Sequence, residues 1–496
     1  MKKALSIFVS GFFAILTLMN SSFAQPAEVF GPHPGIHEIE SLEHQNDPIS
    51  TKKLPETGLA PALSKSTIPQ VSHEVFGYLP YWKFDSYVNF RYDLLTTLAY
   101  FSAEIETNGD ISTSHHWPNA ALVRKAHNNG VRIVLVATLF GSSDLQSLLS
   151  SAANRTNCVN KLVARVKAGD GDGINIDFES LPSSQRGNLV KFMQELADTF
   201  RAQIPNAHIS MATPAVDWSN AWDYRQLSEI CDALFIMGYN YHWSGSGTAG
   251  PVAPLIGGSY NITSTVTDYL AKTFGNSTKI ILGLPYYGID WPTVSEQAGA
   301  ATKSTGSSRL FASAENRARQ VGKRWHNDSR TPWYRYQSID WRQCWYDDST
   351  SLALKYQFAK SKNLQGVGMW ALGYDDGCTE LWGAIEAVFV PQSAVTPDVP
   401  LPGDFTLLPN YPNPANPGTI FPIRIDDVNH AGLIQIQIYN LLGEMIYHGD
   451  KSIAPGEYHF YWNGLTDWGS TTPSGIYLFT VQFREQRRTQ LFTLLK

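Results

Sequence analysis

The sequence predicts an α/β protein: a (β/α)8 barrel of TIM type with an insertion between its seventh and eighth strands, followed by an all-β, immunoglobulin-like sandwich. Three observations predict it. Between about residues 73 and 390, eight short apolar runs alternate with helical patterns. Eight prolines then fall within residues 391–418, the composition of a stiff, extended linker. Beyond them the hydrophobic period changes to two. A doubly wound sheet is the alternative for the first part.

The elements follow in chain order. Lys2 and Lys3, an apolar stretch from Ala4 to about Met19, and the small residues Ser22 and Ala24 read as a signal peptide over 1–24. The stretch is short for a membrane anchor, and Ser6, Ser10 and Thr17 interrupt it. Residues 25–71 are rich in Pro, Ser, Glu and His without a sustained period, and read as a flexible leader. The barrel is expected over 72–392. Its strand-like runs are Val75–Leu79, Thr97–Phe101, Ile133–Thr138, Gly173–Phe178, His208–Thr213, Ala233–Met237, Lys279–Leu284 and Gly366–Trp370. A helix is expected at Asn188–Arg201, where Leu189, Phe192, Met193, Leu196 and Phe200 recur at helical spacing. The Trp-rich interval 291–350 reads as an irregular insertion walling a cleft. A Pro-rich linker is expected at 393–403 and a sandwich at 404–496. In the sandwich Leu433–Tyr439 and Tyr458–Trp462 alternate, and glycines punctuate short strands.

Composition narrows the function. The formal charge of −6 argues against a general nucleic-acid binder. With 43% hydrophobic and 17% charged residues the chain can bury a large core. No later segment is apolar enough to span a bilayer, so a soluble exported protein is expected. Export permits disulfides among Cys158, Cys231, Cys344 and Cys378, but four cysteines allow three pairings, and buried free thiols are equally compatible. No Cys-x-x-Cys or His/Cys cluster suggests zinc, and neither metal nor cofactor is expected.

The chemistry concentrates in Asp172-Gly173-Ile174-Asn175-Ile176-Asp177-Phe178-Glu179. Alternate side chains of a strand share a face, so Asn175, Asp177 and Glu179 point one way, and Ile174, Ile176 and Phe178 the other. In a barrel the polar set points inward, with Glu179 at the C-terminal mouth where active sites of this fold lie. Two carboxylates so close cannot both ionise cheaply, and the raised one suits a general acid. Ordinary solvated acids at a strand end are the plain alternative, but inward-facing acids on an apolar strand are costly without a purpose.

This segment resembles the Asp-Gly-x-Asp-x-Asp-x-Glu signature of glycoside hydrolase family 18, the chitinase-like barrels. Phe76-Gly77-Tyr78 with Tyr81-Trp82 is similar to the family's first strand. Met237-Gly238-Tyr239-Asn240 is similar to its sixth, Gly283–Gly288 to its seventh, and Gly366–Trp370 to its eighth. Asn175 and Asn240 each stand where the family pattern has Asp. Asn-Ile-Asp-Phe-Glu, together with Trp345-Tyr346-Asp347-Asp348, resembles the spore-germination and peptidoglycan-lytic branch. The resemblance implies a secreted, retaining glycosidase acting on β-linked N-acetylglucosamine polymers, chitin or peptidoglycan, by substrate-assisted catalysis. Glu179 would be the acid. Asp177 would orient the substrate acetamide and Tyr239 would hydrogen-bond it. Trp370 would floor the cleft, with Asn175, Tyr78, Met237, Asn240 and Tyr286 as further substrate contacts. A lectin that binds without hydrolysing is the alternative.

Aromatics can line a sugar cleft, but core packing is the better reading for any single Trp; Trp82, Trp218, Trp243 and Trp291 follow strand ends and suit a cleft. The region from Pro412-Asn413-Pro414 through a penultimate hairpin at Ser474–Tyr477 to Leu491–Lys496 resembles the sorting domains of type IX secretion. That resemblance implies engagement of a secretion machinery, then release or attachment at the cell surface. A carbohydrate-binding module with Trp462 and Trp468 as its platform is the rival reading.

Overall fold

The computed structural model describes residues 31–47, 71–391, 405–425, 432–441, 443–454, 456–484 and 486–495. The expected signal peptide and the 393–403 linker lie outside them.

Eight parallel strands close into a barrel, in chain order Glu74–Pro80, Thr97–Ile105, Arg132–Phe140, Gly173–Glu179, His208–Pro214, Ala233–Met237, Ile280–Pro285 and Gly366–Trp370. The first strand pairs with both the second and the eighth, which shuts the ring. Each sits on an apolar run read from the sequence, because a parallel sheet under helices is buried on both faces. Phe235 fills the barrel interior where the seventh and eighth strands carry glycine: a Cβ at Gly283 or Gly368 would lie within 2.3 Å of its ring.

The fourth strand divides its faces as its alternation predicts. Asn175 meets Tyr78 of the first strand and Ser210 of the fifth, so it points inward. Phe178 packs on Phe192, ring centroids 5.4 Å apart, so it points outward to the helix Arg186–Gln203. That helix extends the expected one by two residues at each end.

Two stretches carry more order than their composition suggests. Between the seventh and eighth barrel strands a five-stranded antiparallel sheet runs through Ser307–Leu310, Tyr287–Thr293, Trp341–Trp345, Thr331–Gln337 and Arg324–His326. The interval read as irregular therefore contains strands of this sheet and the helix Phe311–Val321. Its aromatics serve as cross-strand pairs: Trp333 opposes Trp345, with rings stacked at 5.1 Å. Trp291, expected at the cleft, is fully buried here and donates to the Ser244 carbonyl. Within the expected leader, Ile36–His44 is a helix whose Ile36, His37, Glu40 and Ser41 are buried.

The C-terminal region builds two sheets. One joins Phe405–Leu407, Thr419–Ile425 and Gly456–Trp462; the other joins Met445–Ile453, Gly432–Asn440, Gly475–Phe483 and Gln486–Leu494. Both contribute to one core, where Phe421 stacks on Phe479 at 3.7 Å. Ser474–Tyr477 opens the last hairpin, not the penultimate one. Trp462 is buried in this core while Trp468 is 90% exposed, so the two do not form a platform. All four cysteines are free, and three of them are buried. No helix among the described residues is long and apolar enough to cross a membrane.

Candidate active site

The inward face of the fourth strand places Asn175, Asp177 and Glu179 at increasing height toward the C-terminal mouth, all buried. Glu179 carries a carboxyl pKa well above the usual range. Burial is the largest cause, followed by the charges of Asp177 and Glu38, while a hydrogen bond from the Gly35 backbone pulls the other way. A carboxyl shifted in this direction is better suited to give a proton to a leaving-group oxygen than an ordinary glutamate is. One oxygen of each carboxyl, Asp177 Oδ1 and Glu179 Oε1, has no hydrogen-bond partner. Buried acceptors without partners are costly, and a ligand in the cleft would satisfy them.

Asn175 lies beneath this pair. Its oxygen accepts from the Tyr78 hydroxyl and its amide donates to Ser210 Oγ, both at 2.9 Å. It is thus committed to the barrel floor, so the expected substrate contact through Asn175 and Tyr78 becomes a fixed layer under Asp177. Tyr239 and Trp370 stand at the site, both buried. Met237 and Asn240 line a cavity of about 700 Å³ together with Glu179, Trp218 and Trp243. Tyr286 does not join them, because its hydroxyl pairs with Tyr356 at 3.2 Å. The neighbouring Tyr287 faces the site instead, donating to Asn240 Oδ1 at 2.5 Å. Consecutive residues of extended chain diverge, and the motif alone does not say which of the two turns inward.

The N-terminal helix enters this cleft. His37 Nδ1 lies 2.7 Å from Asp177 Oδ2, and its Nε2 lies 2.7 Å from the Tyr239 hydroxyl. Its ring stacks on Trp370 at 3.7 Å. Glu40 accepts from Trp370 Nε1 at 2.7 Å and from the Tyr374 hydroxyl at 2.6 Å. Reading the sequence missed His37, Glu40 and Tyr374. The available signal was the run Ile36, His37, Glu40, Ser41, His44, which has helical spacing inside an otherwise aperiodic leader. Among the described residues, His37, Asp177 and Glu179 are the one group close enough to share a cation. The His37–Asp177 contact is at hydrogen-bond length, and the second imidazole nitrogen is taken up by Tyr239.

The barrel is similar to that of known proteins. YdhD of Bacillus subtilis, provisionally named a sporulation-specific glycosylase, is 27% identical over 361 residues, which is 68% of this chain and 81% of the relative. Di-N-acetylchitobiase of Rattus norvegicus is 28% identical over 306 residues, 54% of this chain and 79% of the relative. The solved chitinase of Cycas revoluta in complex with (GlcNAc)3 shares the fold at a TM-score of 0.57 and 20% identity, over 64% of this chain and 99% of that one. Residues 74–375 match the family described as Glycosyl hydrolases family 18. The matched span takes in the eight barrel strands and the acidic fourth strand, and the chain therefore belongs to that family of glycoside hydrolases.

Proposed function

We propose that this chain is an exported, retaining glycosidase that hydrolyses β-linked N-acetylglucosamine polymers, with Glu179 as general acid. The observation that carries the reading is the buried Glu179, its carboxyl pKa raised by burial and by the charge of Asp177 beside it, at the mouth end of the fourth strand. Protonation of the glycosidic oxygen by Glu179 lets the leaving sugar depart. The substrate's own 2-acetamido oxygen attacks the anomeric carbon from the opposite face, and the Asp177 carboxylate orients the acetamide and offsets its developing positive charge. Tyr239, beside Asp177 through their shared partner His37, is placed to donate to the acetamide oxygen. Water then opens the oxazolinium-like intermediate, with Glu179 acting as base. The unsatisfied oxygens of Asp177 and Glu179 support this division of roles. Trp370 offers the apolar face on which the distorted sugar rests.

The names of the relatives support two polymers, chitin-type oligosaccharides and spore cortex, as shown by the rat chitobiase and by the cortical fragment-lytic enzyme of Bacillus subtilis, 24% identical over 291 residues. Delivery outside the cell, through a C-terminal sandwich that acts as a sorting domain, belongs to the same proposal.

Product analysis tests it. Residues 48–496, which lack the segment docked in the cleft, are incubated with N-acetylglucosamine oligosaccharides and, separately, with peptidoglycan, alongside the same chain carrying Glu179→Gln. Cleavage with retained anomeric configuration by the parent, and a loss of at least 10³-fold in the variant, is the expected result. Undiminished turnover in Glu179→Gln removes it as the acid. Binding by both proteins with cleavage by neither makes the chain a lectin.

A further inference from the structure

We infer that residues 31–47 are an intramolecular inhibitor, so that the chain is latent until this segment leaves the cleft. The inference rests on the reading of that cleft as a glycan site. The segment takes up each feature the chemistry needs. His37 satisfies both Asp177 Oδ2 and the Tyr239 hydroxyl through its two ring nitrogens, and its ring covers the face of Trp370. A sugar resting on Trp370 with its acetamide toward Asp177 would have to stand where this imidazole stands. Gly35 packs against the acid: a Cβ there would lie 1.7 Å from Glu179 Oε2, so a sugar reaches that oxygen only when the segment moves. The φ of Gly35 is −70°, so close approach and not backbone conformation explains the glycine.

Three of the segment's imidazoles lie flat on three tryptophans along the cleft. His33 stacks on Trp243 at 4.9 Å and 11°, His37 on Trp370 at 3.7 Å and 28°, and His44 on Trp82 at 4.6 Å and 14°. Flat rings on aromatic faces are how a sugar chain would engage the same surfaces. Glu40 and the Tyr81 hydroxyl, which donates to the His44 carbonyl at 2.9 Å, fasten the helix between them. Residues 48–70 join this segment to the first barrel strand. A tether of that length holds the segment at an effective concentration of the order of millimolar, enough to keep modest contacts closed. Hydrolysis of one peptide bond within 48–70, water adding across it, would remove that advantage and let substrate compete.

The test uses the full chain with the recognition site of a sequence-specific endoprotease substituted for residues 56–62. Turnover of a fluorogenic tri-N-acetylchitotrioside, and of soluble peptidoglycan fragments, is measured before and after cutting and dilution. Hydrogen exchange at residues 35–41 is followed in parallel. The expected result is a rise of tenfold or more on cutting, reversed by a synthetic peptide of residues 31–47, with protection of 35–41 in the uncut chain only. Uncut Gly35→Ala and His37→Ala should each show partial release without cutting. Equal turnover before and after cutting, or free exchange at 35–41 in the uncut chain, overturns the inhibitor and leaves the glycan reading standing. A fall in turnover on cutting overturns it too, because His37 would then belong to the working site. A cut chain that neither hydrolyses nor binds any of the glycans removes both readings together.

Discussion

Glu40 carries the sharpest consequence at the scale of single residues. Its carboxyl is buried between Trp370, Tyr374 and Ser308, and its pKa is pushed up to about 7. Burial is the main cause, the hydrogen bonds from Tyr374 and Trp370 oppose it, and the charge of Glu43 adds to it. The phenols of Tyr287 and Tyr374 also face it. The docked state thus binds a proton that the undocked segment, with an ordinary glutamate, releases. Docking of the helix is favoured in full below about pH 4.5 and weakens as pH rises through about 7, by on the order of 3 kcal/mol across that window. Glu40→Gln should remove the part of this dependence that Glu40 contributes, leaving that of Glu38, Glu179 and His33, and hold the helix more firmly at pH 8. Hydrogen exchange at residues 35–41, compared at pH 5 and pH 8, checks it; an unchanged pH dependence in the variant would remove Glu40 as its source. Asn175 illustrates the same scale differently. Its amide matches a donor from Tyr78 and an acceptor on Ser210, so the departure from the family's acidic pattern changes the floor of the site and leaves Glu179 in place.

Among the elements, the helix Ser349–Ser361 depends on a buried ion pair at its start. Lys355 and Asp347 are both fully buried and in contact, and Ser351 donates to Asp347 at 2.6 Å. Asp348 caps the same helix in a reciprocal capping box with Ser351. Burial raises the Asp347 pKa and lowers that of Lys355, with each partner's charge opposing the shift. Breaking such a pair leaves one charge buried alone, which costs about 3–5 kcal/mol, whereas replacing both partners is far milder. Lys355→Met should therefore lose that amount in urea unfolding, and Lys355→Met with Asp347→Asn should recover most of it. Equal losses in the single and double variants would mean that packing, and not charge, sets the cost. This helix packs behind the eighth strand, which ends at Trp370, so its stability bears directly on the cleft.

For the whole molecule, the proposed function gives chemistry and delivery to separate regions. The side chains proposed for catalysis, Glu179, Asp177 and Tyr239, all come from the barrel, while the C-terminal sandwich has its own core. Deleting 404–496 should leave hydrolysis by the purified barrel within about twofold and block delivery to the cell surface. Activity assays on the purified protein and surface labelling of cells separate the two. Normal delivery together with lost retention on insoluble polymer would make the sandwich a binding module instead.

The eight barrel strands and the acidic strand were legible in the sequence because both depend on local periodicity. A strand buried on two faces must be an apolar run, and an inward acid must sit at an alternate position whatever surrounds it. Asp177 and Glu179 could be named for that reason. Aromatic residues carry no such mark: the same Trp serves a core, a cross-strand pair or a sugar platform, and only packing separated Trp291 and Trp345 from Trp370 and Trp243. The choice between Tyr286 and Tyr287 turned on which face the strand end presented. His37 was beyond sequence reasoning for a further reason. It reaches Asp177 across 140 positions, and a short amphipathic helix gains its stability from the surface it docks on, not from its own residues. By itself the sequence determined the barrel strands and the inward placement of Asp177 and Glu179, since those are written in local patterns; the tertiary structure alone decided what occupies the cleft, since that contact joins distant segments through shape and hydrogen bonding.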